Sequence, residues 1–400
     1  MSHIPLSGRP QEPVSPPKGW APFALGFRPF FLIAGLSSVV LLSLWLTFWH
    51  LEFSAADYYG RIGWHSHEML FGYTIAVVAG FLLTAVRNWT GIDTITNMPL
   101  AALATLWLVA RTLPWVSGIP DWLIAIADLA FIPALTLALF QPLWKGRNKV
   151  NRVFIPLLAS MFLANLLIHL EALQLTNTAE LGTDLMLTLV LILLTLVAGR
   201  ILPFFTQNVI PGFQAKTSLS IERASFSLII LITLMGLVPA ADKVQGLLFI
   251  LFAAVQGLRL RGWYHNQIWQ IPILWVLHTG YAWMILGSLL MGLAQFDLFM
   301  LSTAKHALTA GLIGVFTLGM MSRVALGHSG RPIESSKVLT TAFVLANIAV
   351  ALRVFGPEFI PQQYLLWIAA SGLFWLIAFL IFSLIYLPIL LRPRIDGRPG

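Results

Sequence analysis

The 400-residue chain contains no cysteine, and only 10% of it is Asp, Glu, Lys or Arg. The first absence excludes disulfides, thiolate-bound zinc, cysteine-held iron–sulfur clusters and covalently tethered haem. Any metal must be held by His, Met, Asp, Glu or Tyr. The second absence excludes a soluble globular domain, where charged residues average about 25%. It also excludes a disordered chain, which is polar by composition. What fills the sequence is apolar: Ala, Val, Ile, Leu, Met, Phe, Trp and Tyr make up 58%, and 30 further residues are glycine. Such a chain is solvated by lipid. Its net charge of +8 therefore does not point to nucleic acid, because the basic residues sit in short loops between apolar runs.

A bilayer core takes about 20 apolar residues per helix, and the chain divides into such runs almost end to end. They fall near 28–49, 67–87, 98–116, 122–144, 153–173, 184–206, 225–240, 243–260, 271–293, 302–323, 338–355 and 364–391. The reading is an all-α membrane protein of about twelve transmembrane helices, with the seventh, eighth and eleventh the shortest. Residues 1–24 read as a flexible N-terminal tail, 25–391 as one transmembrane domain, and 392–400 as a basic C-terminal tail. No cleavable signal is evident, since the first apolar run is too long.

Charge tests this division. With both termini in the cytoplasm, nineteen of the 24 Lys and Arg residues fall on the cytoplasmic side, including Lys145, Arg147, Lys149, Arg152 and the three C-terminal arginines. Asp57, Asp121, Glu171, Glu180 and Asp184 gather on the other. That is the positive-inside bias, and it predicts a multi-pass protein of a cytoplasmic (inner) membrane.

The second and tenth runs echo one another. Gly72, Gly80 and Gly91 follow His67 at offsets of 5, 13 and 24, and Gly311, Gly319 and Gly330 follow His306 at the same offsets. If the echo marks a repeat, the second, sixth and tenth helices are the inner members of three four-helix groups.

Histidines are the best nitrogen ligands available. His50, His65, His67, His169 and His306 all fall near the non-cytoplasmic ends of their helices. Ionisable groups at membrane depth are costly without a partner, a cofactor or water, so a shared level suggests a site. In WHSHEMLFGY (64–73), positions two apart on a helix point about 200° apart. His65 and His67 therefore serve two centres, or one takes a cofactor while the other bonds a neighbouring helix. The bland alternative is that both lie near the headgroups, where histidine is cheap. Glu68 shares a face with Gly72, Ala76 and Gly80, and is expected to serve His65 or another helix rather than His67. His306 shares a face with Ala310 and Gly314, leaving room for a macrocycle or a second helix. His67 and His306 are expected to face one volume, with His65 or His278 completing a haem or copper site. His278 is equally readable as an interhelical hydrogen bond, and His169 as a partner of Asn165. Arg200 suits a carboxylate such as a haem propionate, or snorkels to the headgroups. Arg111 and Asp128 are expected to pair between the third and fourth helices.

Several blocks carry a family resemblance: GFRPFFLIAG (26–35), WHSHEMLFGY, AVVAGFLLTAVRNWTG (76–91), GRILPFFTQN (199–208), HALTAGLIG (306–314) and LGMMSRVALGHSGR (318–331). Together they resemble the NnrS family of bacterial polytopic membrane proteins. The resemblance implies association with haem and copper and with the response to nitric oxide. Its histidine motifs fall on His65, His67, His278, His306 and His328. The layout also resembles, distantly, the catalytic subunit of haem–copper oxidases. Those place copper-holding histidines on their sixth and seventh helices, which here have none, so standard oxygen-reducing activity is disfavoured. The leading expectation is a membrane protein holding non-covalent b-type haem, with copper a second candidate, whose ligand is nitric oxide or a nitrosylated species. The competing expectation is a transporter of a small anion or metal complex.

Overall fold

The structure, a computed structural model, describes residues 19–51 and 58–398. His3, Asp57 and most of the expected N-terminal tail lie outside the described residues, as does the side chain of His50. Among the described residues, each of the twelve apolar runs is a helix: α1 (Phe27–Leu51), α2 (Arg61–Thr90), α3 (Asn97–Thr112), α4 (Asp121–Lys145), α5 (Phe154–Ala172), α6 (Ala179–Val209), α7 (Leu219–Met235), α8 (Asp242–Trp263), α9 (Pro272–Ala294), α10 (Leu301–His328), α11 (Lys337–Phe359) and α12 (Tyr364–Leu391). No strand accompanies them among the described residues.

Ten of these helices are long and apolar enough to cross a membrane. The two that fall short are α3, with 16 residues, and α7, with 17. This corrects the expected pattern in part, because α8 and α11 run to 22 and 23 residues. Their charged ends, Asp242 to Lys243 and Lys337, still wind helically, so helix continues beyond the apolar run that marks it.

Helices adjacent in sequence pack against one another around the bundle, and α12 returns to α1. The closure has a polar latch: the fully buried Arg28 guanidinium donates to the carbonyls of Ile389 and Leu390 at 3.2 Å each, and to that of Arg392. Burial is uneven. In their most apolar stretches α2 and α10 are 89% and 83% buried, α6 and α9 are each 67% buried, and the other spans only 33–44%. The expected inner members, α2, α6 and α10, are thus among the four most buried, and α9 joins them. Leu137 and Leu384 on the outer helices α4 and α12 are exposed, as lipid-facing side chains must be.

The echo between α2 and α10 is present in the backbone. Each begins as α-helix up to its histidine, then passes into a π-helical stretch, Glu68–Thr74 after His67 and Ala307–Val315 after His306, before resuming α geometry. Each is followed by a glycine in the left-handed region, Gly91 (φ 69°) directly after α2 and Gly330 (φ 74°) two residues after α10, a conformation that costs other residues a Cβ clash. The two helices are joined by a 2.6 Å hydrogen bond between the Tyr73 hydroxyl and Thr317 Oγ1.

Candidate functional site: two histidine clusters at one end of the bundle

The half-turn between His65 and His67 sends the two rings to different neighbours. His65 stacks on Trp45 of α1, with ring centroids 4.4 Å apart and planes within 13°. On α10, His306 lies with its ring centroid 6.4 Å from that of His65 and its plane within 14°. The Nδ1 of His306 is 2.6 Å from the Ser302 carbonyl one turn back, which fixes that nitrogen as the donor. The His65 Nδ1 is buried without a partner. Arg353 of α11 is near enough for its charge to bear on both rings, and its Nη1 is likewise buried without a partner. Beside them, Lys305 pairs with Asp184 of α6 at 2.5 Å.

His67 enters a second, wholly buried cluster drawn from α2, α3, α4 and α5. Its Nδ1 lies 3.3 Å from Glu68 Oε1, and its Nε2 lies 3.1 Å from Asn165 Oδ1 and 3.3 Å from Asp128 Oδ2. Arg111 bridges the two carboxylates, donating to Glu68 Oε1 at 3.0 Å and contacting Asp128 Oδ1. The expected Arg111–Asp128 pair is therefore present. Asn165 Nδ2 donates to Asp128 Oδ2 at 2.7 Å, and His169 Nε2 reaches the same oxygen at 2.8 Å. Two tyrosines close the cluster. Tyr58 hydrogen-bonds His169 Nδ1 at 2.8 Å, and Tyr59 stacks on His67 with centroids 4.2 Å apart. Burial raises both phenols above the ordinary tyrosine range, so they stay protonated.

The residues singled out from sequence thus separate. His67 and His306 do not face one volume; His306 meets His65, two residues earlier. Matching glycine offsets placed His67 and His306 at equivalent points of two helices, and equivalent points need not converge. Glu68 does contact His67, in addition to reaching another helix through Arg111. It opens the π stretch, whose wider turn alters the angular spacing between neighbours. The room expected beside Gly314 is filled by the Trp375 ring, against which any Cβ there would collide. Asn165 and His169 bond Asp128 rather than each other. His278 and Arg200 join neither cluster. His278 holds the Leu274 carbonyl at 3.0 Å through Nδ1. Arg200 lies sixteen residues along α6 from Asp184, about 24 Å away at 1.5 Å per residue, where it donates to Asn151 at 2.9 Å and stacks over Trp89.

Sequence reasoning missed Asp128 and His169 as partners of His67, and it missed Arg353. A signal existed for His169: it and Asn165, one turn apart, are polar residues on an otherwise apolar stretch of α5. It also missed a cluster in the other half of the bundle. There Arg259 pairs with Glu222 at 2.7 Å and donates to Tyr281 at 2.9 Å, tying α7, α8 and α9.

Ten membrane-length helices with paired histidines under one end define a polytopic α-helical membrane protein. The sequence profile described as NnrS protein matches residues 21–394, nearly the whole chain. The chain belongs to the NnrS family. No curated protein matches it.

Proposed function

We propose that this protein is a haem-binding component of the nitric oxide response in a bacterial inner membrane, with His65 and His306 as the iron ligands. The observation that carries this is the spacing of the two rings. Two imidazoles that held one metal ion between them, each with a bond of about 2.0–2.1 Å, would have centroids roughly 6 Å apart. The rings here stand 6.4 Å apart and nearly parallel. An anchored Nδ1 on a ligating histidine is the usual outer hydrogen bond of a metal site, and Ser302 supplies it for His306. The buried, unpartnered Nη1 of Arg353 suits a propionate carboxylate. Haem held there would supply an iron that takes nitric oxide as a ligand when one of the two imidazoles gives way. A neutral gas reaches that depth through lipid. The chain's own contribution is orientation: Trp45 backs one ring, Ser302 fixes the other, and Arg353 provides the charge. Imidazole pairs also suit copper, so spectroscopy must name the metal.

The test is the optical spectrum of the detergent-purified full chain supplied with haem. A Soret band characteristic of imidazole ligation should be lost or shifted in His65→Ala and in His306→Ala, and unchanged in His278→Ala. A colourless protein that moves anions into liposomes would replace this reading with a transporter.

A further inference from the structure

The His67 cluster carries an imbalance of charge. It holds two carboxylates, Glu68 and Asp128, and one guanidinium, Arg111, all buried. The balance is one positive charge short. The deficit has a location. His67 presents Nδ1 to Glu68 and Nε2 to the oxygens of Asp128 and Asn165, with the Tyr59 hydroxyl further off at 3.4 Å from Nε2. A neutral imidazole carries one proton and can satisfy only one of those sides. Reversing the Asn165 amide does not help, because its oxygen would then face Asp128 Oδ2, which its nitrogen now holds at 2.7 Å.

We infer that His67 Nε2, Asp128 Oδ2 and His169 Nε2 form a binding site for a divalent first-row transition metal ion, separate from the His65–His306 pair. One ligand atom from each of the three lies within 4.8 Å of the others. The Asn165 carbonyl oxygen, 3.1 Å from His67 Nε2, is placed as a fourth. Bonds of about 2.0–2.2 Å in a tetrahedron put ligand atoms roughly 3.4 Å apart. The contacts of 3.1 and 3.3 Å around His67 Nε2 are already close to that. His169 Nε2 and Asp128 Oδ2, at 2.8 Å, now share a hydrogen bond that the ion would replace. The outer hydrogen bonds are also in place: the remaining nitrogen of His67 faces Glu68, and that of His169 faces Tyr58, as carboxylate and hydroxyl partners do around metal-bound imidazoles. The donor set is two imidazole nitrogens and hard oxygens, which suits zinc, iron(II) or copper(II) over calcium or magnesium. Binding of the ion shifts the His169 proton from Nε2 to Nδ1, where the Tyr58 hydroxyl oxygen accepts it, and the two positive charges of the ion more than cover the deficit of one.

The inference does not depend on the proposed haem site, and its test separates the two. The full-length His65→Ala/His306→Ala protein, purified in detergent and stripped with a chelator, is titrated with Co²⁺ as a visible probe. One equivalent should bind saturably with the intense d–d bands of a low-coordinate site, and Zn²⁺ should displace it. Adding His169→Gln or Asp128→Asn to that background should lower Co²⁺ affinity at least tenfold, while His278→Ala should not. Failure of the parent protein to bind Co²⁺ saturably would overturn the inference and leave a protonated His67 as the source of the missing charge. Binding untouched by His169→Gln would place the metal elsewhere. Size-exclusion profiles identify any variant that has lost its fold, and the parent titration decides the matter without the variants.

Discussion

Two histidines separated by one serine, His65 and His67, end in environments that share no partner. One lies between Trp45 and His306; the other is enclosed by Glu68, Asp128 and Asn165. That separation was legible, since helical geometry alone turns positions two apart to opposite sides. Arg111 was legible too, as the partner of Asp128, because an isolated arginine in an apolar helix demands a carboxylate. What it does in addition, joining Glu68 to Asp128, depends on a third helix and could not be read. This double role sets its cost of removal. Arg111→Met should destabilise the protein by about 3–5 kcal/mol, since two buried carboxylates lose their counter-charge. Arg111→Lys should recover only part of that, because an ammonium cannot span both carboxylates as the planar fork does. Thermal unfolding in detergent measures both, and a Met variant as stable as the parent would show that the cluster contributes nothing net to the fold.

At the scale of elements, the twelve helices were plain from hydropathy, but α2, α6, α7 and α10 each have an end five or six residues from the edge of the apolar run. The interior of α2 and α10 was not. A π stretch has the same apolar composition as the α-helix around it, so periodicity passes over it, and only the repeated glycine offsets hinted that these helices share a design. The stretch does geometric work. One extra residue within a turn shifts everything on its N-terminal side by about 100° relative to a continuous α-helix. In α10 that shift governs where Leu301–His306 points relative to the rest of the helix. Deleting one residue of Ala307–Val315, such as Leu308, should restore α geometry and swing His306 away from His65. The expected result is loss of the histidine-dependent haem spectrum with membrane insertion retained. An unaltered spectrum would mean that the π stretch is incidental to the site. The long-range pairing of α2 with α4 and α5 could not be foreseen either, because His67, Asp128 and His169 are separated by 61 and 41 residues, and nothing local links them.

For the molecule as a whole, both histidine clusters take a histidine from α2, the most buried helix, and the basic loops concentrate on one side. If the charge bias orients the chain, both termini and the 145–152 loop are cytoplasmic, and the histidine clusters lie beneath the outer surface. Reporter fusions after residues 148 and 180 should report opposite compartments; the same compartment for both would remove the basis of that orientation. Lipid itself has to answer to α3. At about 1.5 Å per residue, its 16 residues rise roughly 24 Å, against a hydrocarbon thickness of about 30 Å. The 3₁₀ turn Leu113–Trp115 that follows adds about 6 Å at roughly 2.0 Å per residue, so the wall matches the lipid only if that turn stands within it. A membrane that stopped at Thr112 would have to thin there, and Arg111, one residue from that end, would bring the His67 cluster nearer to bulk water than the rest of the bundle's interior.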